Sequence, residues 1–152
     1  MSKRKVIMLT DSSLTYPKVM SPDAQAVLKR LEAYGAETVY VQDQKDWDRS
    51  MFVEYASKVE KTGPEPFEVN PEFLKEAEEA EVIIANFAPV GSAVIKAGKN
   101  LKMIGVTRSG AENINIGAAT EQGVKVAVAP GRLADPVSDY TVGLILAESR
   151  NI

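Results

Sequence analysis

Three short stretches of this 152-residue chain gather groups able to hold a small anion. Arg108-Ser109-Gly110-Ala111-Glu112-Asn113 puts a cation, a hydroxyl, a glycine, an acid and an amide side by side. Asn86-Phe87-Ala88-Pro89-Val90-Gly91 has small residues that leave backbone N–H groups accessible, and Asn86 adds a side-chain amide. Amides arranged this way suit a carboxylate. Thr10-Asp11-Ser12-Ser13-Leu14-Thr15 is hydroxyl-rich. It has no glycine to let amides close around a phosphate, so it matches neither a P-loop nor G-x-G-x-x-G and reads better as a capping turn. The first two stretches equally suit plain connecting loops. In the Arg108 stretch the bland alternative is a surface pair with Glu112, and such pairs contribute little.

What is missing narrows the chemistry. The chain has no histidine and no cysteine. A histidine general base, a histidine-ligated metal, a thiolate nucleophile and a disulfide are therefore all excluded. Net charge is −3 and no basic block occurs; Lys3-Arg4-Lys5 is a solubilising lead-in. A nucleic-acid partner needs a clustered basic face, so none is expected. No apolar run approaches the ~20 residues of a membrane span. Val6-Ile7-Met8-Leu9 is too short for a signal-peptide core, and a soluble cytoplasmic protein is expected.

The elements that must position these stretches follow from periodicity. Val6 to Leu9 is a first buried strand, and Thr38 to Val41 a second. Ser21-Pro22-Asp23 opens a helix whose apolar stripe is Ala24, Val27, Leu28 and Leu31, ended by Gly35. Asp46 to Lys61, with Trp47, Met51, Phe52, Tyr55 and Val59, reads as a helix stopped by Gly63-Pro64-Glu65-Pro66, the best candidate for a flexible surface loop. Asn70-Pro71-Glu72 starts another helix through Phe73, Leu74 and Ala77. Val82 to Ala85, Met103 to Val106 and Lys125 to Val128 are strands three to five. Ser92 to Ala97 and Ile116 to Gln122 are short helices between them, and a long helix runs from about Asp135 to Arg150.

Short β-branched strands alternating with helices predict an α/β fold: a doubly wound, five-stranded parallel sheet covered on both faces, flavodoxin-like, in the order 2-1-3-4-5. Ligands of such sheets sit beyond the carboxyl ends of the strands. In the last helix, Val137, Tyr140, Val142, Leu144, Ile145 and Leu146 spread over nearly the whole circumference. Apolarity all round implies burial on two sides, by another domain or another subunit.

The run Asn100-Leu101-Lys102-Met103-Ile104-Gly105, then Arg108-Ser109-Gly110-Ala111-Glu112-Asn113-Ile114, then Ala118-Ala119-Thr120-Glu121-Gln122-Gly123-Val124-Lys125-Val126, resembles the D-isomer-specific 2-hydroxyacid dehydrogenase family. Its phosphoglycerate dehydrogenase-like branch is nearest. Pro130-Gly131 and Val137 to Ile152 continue the match; before about Val82 only the order of elements agrees. The resemblance implies two doubly wound domains with the active site between them. Residues 1–133 then belong to the substrate-binding domain, and 134–152 are the crossover helix into an absent NAD-binding Rossmann domain. It places Asn86, Phe87, Ala88, Arg108, Ser109, Gly110 and Ala111 on the cleft, with backbone amides holding the substrate carboxylate.

In the intact enzyme the implied reaction is hydride transfer between nicotinamide and C2 of a D-2-hydroxy acid, a D-3-phosphoglycerate-like one being the branch's example. The family's glycine-rich turn, ribose-binding acid and catalytic Arg, Glu and His have no match in these residues. The expectation is an inactive, truncated domain with no catalytic, cofactor-binding or metal-binding residue, pairing as a homodimer through its last helix. The alternative is a non-catalytic flavodoxin-like ligand-binding or interaction module. A response-regulator receiver lacks its phosphoacceptor here, since strand three runs into Ala85-Asn86-Phe87. An FMN module lacks its phosphate loop.

Overall fold

A computed structural model describes residues 4–10, 22–43 and 48–152. In chain order the elements are β1 (Arg4–Thr10), α1 (Pro22–Ala33), β2 (Ala36–Gln42), α2 (Arg49–Thr62), α3 (Pro71–Ala77), β3 (Ala80–Ala85), α4 (Ser92–Ala97), β4 (Met103–Val106), α5 (Ile116–Glu121), β5 (Lys125–Ala127) and α6 (Ala134–Arg150). The turn expected at residues 11–15, the cap at Ser21 and the side chain of Trp47 lie outside the described residues.

The five strands form one parallel sheet in the order β2-β1-β3-β4-β5. The local causes are those of the sequence. Asn70 caps α3 by accepting from the N–H groups of Glu72 and Phe73, with Pro71 just inside the helix. Asp48 accepts from the Met51 N–H at the start of α2, a bond that holds its carboxyl below the usual range. Gly35, at φ +81°, takes the left-handed conformation that turns α1 into β2.

The main core cluster lies on one face of the sheet. Ile7, Ile83 and Ile104 stand abreast on β1, β3 and β4, all fully buried, against Ala77 of α3, Val94 and Ile95 of α4 and Ala119 of α5. The other face is buried over β1, at Val6 and Met8, and opens toward β4 and β5. A groove of about 530 Å³, nearly all apolar, runs along it between Val6, Leu31, Val82, Ile84, Met103 and Val128. Met103 and Val128 stay exposed there.

The Gly63 to Pro66 stretch is the loop that follows α2, as expected, but it is tied to its neighbours. Pro64 is buried, and the Glu65 carboxylate accepts from the Ser92 N–H at 2.7 Å, the Ser92 hydroxyl and Asn115 Nδ2. These bonds, the one from Asn115 foremost, lower the Glu65 pKa. A lowered carboxyl stabilises the fold at neutral pH and stops doing so as pH falls through the lowered value. Glu65→Gln should therefore melt lower than the parent at neutral pH, with the gap closing below about pH 4. Melts recorded across that range check it; a gap that is constant with pH counts against the assignment.

Candidate functional site

β3 and β4 pair in parallel, Ala85 beside Val106, so the turns that follow them leave the same edge of the sheet. Thr107 N–H donates back to the Ala85 carbonyl at 3.0 Å, and its hydroxyl donates to Asn86 Oδ1 at 3.0 Å. Asn86 is buried, Phe87 half-buried and Ala88 buried. Asn113, wholly buried, donates both side-chain N–H groups into that turn, to the Asn86 carbonyl at 3.2 Å and the Ala88 carbonyl at 2.9 Å. Its own carbonyl accepts from Val90 at 2.8 Å. The structure thus brings the two predicted stretches together into one two-turn surface at the carboxyl edge.

On the second turn, Ser109 is exposed, and Gly110 and Ala111 are half-buried. The N–H groups of Ser109, Gly110 and Ala111 donate to no protein acceptor among the described residues. Ser109 Oγ reaches the Ala129 carbonyl at 3.4 Å, and the Arg108 carbonyl accepts from Ala129 N–H at 2.8 Å, so this turn also leans on the segment after β5.

Arg108 is engaged by the protein. Its guanidinium lies over the Phe87 ring, 3.9 Å from the centroid, and bonds Glu60 of α2. Glu112 Oε2 stands 3.8 Å from Nη2. Phe87 in turn meets Phe52 edge-on at 5.3 Å. α2 is thereby tied to both turns, a tie the sequence did not announce: Glu60 carries no local signal. The carboxylate of Glu112 folds over Gly110, where an added Cβ would stand 2.2 Å from Oε1.

These turns do not fit the phosphates of a dinucleotide. The first amide of α4, the donor a phosphate would use, already serves Glu65, and Gly110 lies under a carboxylate. Among the described residues no group of three or more acids could hold a metal ion. No helix among them is long and apolar enough to cross a membrane.

Comparison with known proteins is consistent with this geometry. The family profile described as D-isomer specific 2-hydroxyacid dehydrogenase, catalytic domain, matches residues 39–143. A hydroxypyruvate reductase of Thermotoga maritima is 35% identical over 115 residues, covering 75% of this chain and 37% of that protein. A D-3-phosphoglycerate dehydrogenase of Archaeoglobus fulgidus is 37% identical over 82 residues, 53% of this chain and 16% of the relative. The chain therefore spans little more than a third of the first relative and a sixth of the second. Among solved structures, the NAD+-bound 3-phosphoglycerate dehydrogenase of Entamoeba histolytica superposes with a TM-score of 0.63 at 17% identity, covering 96% of this chain and 39% of that one. At that identity the likeness speaks for the fold.

Proposed function

Because this chain belongs to the D-isomer specific 2-hydroxyacid dehydrogenase family, we propose that it is the substrate-binding part of an NAD-dependent oxidoreductase acting on the CH–OH group of a short D-2-hydroxy acid. The parent enzyme works in the cytoplasm, on a glycerate-, glyoxylate- or phosphoglycerate-like acid. The observation that carries the reading is the run of three amides, Ser109 to Ala111, with no protein acceptor, beside the Asn86–Ala88 turn. Fixed N–H groups at a sheet's carboxyl edge hold a carboxylate without reorganising. Glu112 must swing off Gly110 as the acid enters; it is half-exposed, so the motion costs little. Arg108, held by Glu60 and Phe87, lends positive field from behind the turn.

The described turns do not fit the phosphates of NAD. Residues 1–133 form the binding domain, and 134–152 are a crossover helix, supported by the absence of any buried residue on α6. The chain by itself is expected to oxidise no NADH with glyoxylate or hydroxypyruvate, since it has no histidine to move a proton. Turnover above a protein-free blank, read at the nicotinamide absorbance, would contradict this. Titrating labelled protein with glycolate or D-glycerate should shift the amides of 86–88 and 109–111 first. Shifts confined to other residues, or none, sink the reading.

The exposed face of α6 supports a homodimer. Val137, Tyr140, Ile145 and Leu146 are all more than half exposed. Light scattering should show twice the monomer mass at high concentration, and Ile145→Glu should halve it. A monomer throughout disproves the pairing.

A further inference from the structure

We propose that Asn113 is the positioning residue that sets the distance between the two halves of the carboxylate site; this rests on the reading above. Asn113 is itself part of the β4 turn, and both of its side-chain donors end on carbonyls of the β3 turn, at Asn86 and Ala88. Its backbone carbonyl accepts from Val90, while Asn115 N–H donates to the Val90 carbonyl at 3.0 Å, and Val90 bridges Ile114. These are four hydrogen bonds between the two turns, besides the two that Thr107 makes to Ala85 and Asn86, and the fully buried Asn113 side chain supplies two of the four.

The position accepts a cost for this. Asn113 Oδ1 is buried with no partner among the described residues. Buried polar atoms are rarely left so, because an unmade bond costs more than a made one contributes. A small apolar side chain avoids that cost. What it cannot do is donate to two carbonyls at once and hold the Asn86–Ala88 backbone against the loop carrying Ser109 to Ala111. Amides that hold a carboxylate act together only when their spacing is right, and misplacement by about 1 Å has large consequences for a bound ligand. Asn113 touches the frame of the site and need not touch the ligand.

The test compares glycolate affinity, by amide-shift titration, for the parent chain, Asn113→Ala, Asn113→Asp and Phe73→Leu. The aspartate keeps the shape and loses the donors. Phe73 is buried on α3 and has no part in the turns, so it reports general destabilisation. Glycolate should bind about tenfold more weakly to both Asn113 variants and unchanged to Phe73→Leu. A folded Asn113 variant that binds like the parent overturns the proposal and leaves the functional reading standing. A parent chain that binds no short acid ends both. One measurement needs no variant: in the parent, the Asn113 NH2 resonances should move together with the amides of 86–88 and 109–111 as glycolate is added. Site amides that move while that NH2 stays still also overturn it.

Discussion

Ile83→Ala is expected to lower stability by about 3–4 kcal/mol and the melting midpoint by roughly 10 °C. The side chain is fully buried at the centre of the sheet, flanked in register by Ile7 and Ile104, which are equally buried. Three branched side chains abreast leave no small movement that closes the hole, so the cavity cost adds to the lost transfer energy. The next residue supplies the comparison. Ile84 points to the opposite face, over the open groove, and is only half-buried, with Met8 and Gly105 as its partners in register. Ile84→Ala should cost less than half as much, because that side chain is already half-buried beside the groove. Chemical and thermal melts of the two variants decide the matter. Equal losses mean that the second face is covered in solution, by α6 or by another copy.

Arg108→Ala should cost about 2–3 kcal/mol, well above the usual value of an exposed ion pair. The guanidinium side chain is only 13% exposed, stacked on Phe87 and bonded to Glu60. Removing it uncovers the ring and leaves Glu60 and Glu112 without the cation between them. Arg108→Lys should recover less than half of the loss, since an ammonium keeps the charge but cannot lie flat on a ring or use a planar fork. A double-mutant cycle with Glu60→Gln, read from urea midpoints, should show coupling of about 1 kcal/mol. A loss below about 0.5 kcal/mol in the alanine variant identifies the pair as an ordinary surface contact and frees Arg108 for a ligand.

Both predictions separate what is local from what is not. α4 at 92–97 and β4 at 103–106 coincide with the spans read from periodicity, and α1, α3 and α5 begin or end at the expected caps and glycines. Parallel topology followed from strands that are short, apolar and separated by helices. The family likeness followed from a collinear run of residues, and the match to 39–143 bears it out. Glycine and proline announced the Gly63–Pro66 loop but not that its side chains are tied down; only Glu65, reaching Ser92 and Asn115, shows that they are.

By itself the sequence determined where helices and strands begin and end, how the strands order themselves, and which turns share an edge. Those depend on spacing along the chain: periods of two and near four, a cap one residue outside a helix, a glycine where φ is positive. The tertiary structure alone decided which groups meet at that edge. Arg108 finds Glu60 across 48 residues, Glu65 finds Asn115 across 50, and Asn113 finds the Asn86 carbonyl across 27. It also decided that, among the described residues, one face of the sheet carries the main core and the other opens into a groove beside β4 and β5. Burial and pairing are properties of register and docking, and no spacing between neighbours in the chain encodes which distant carbonyl a buried amide will face.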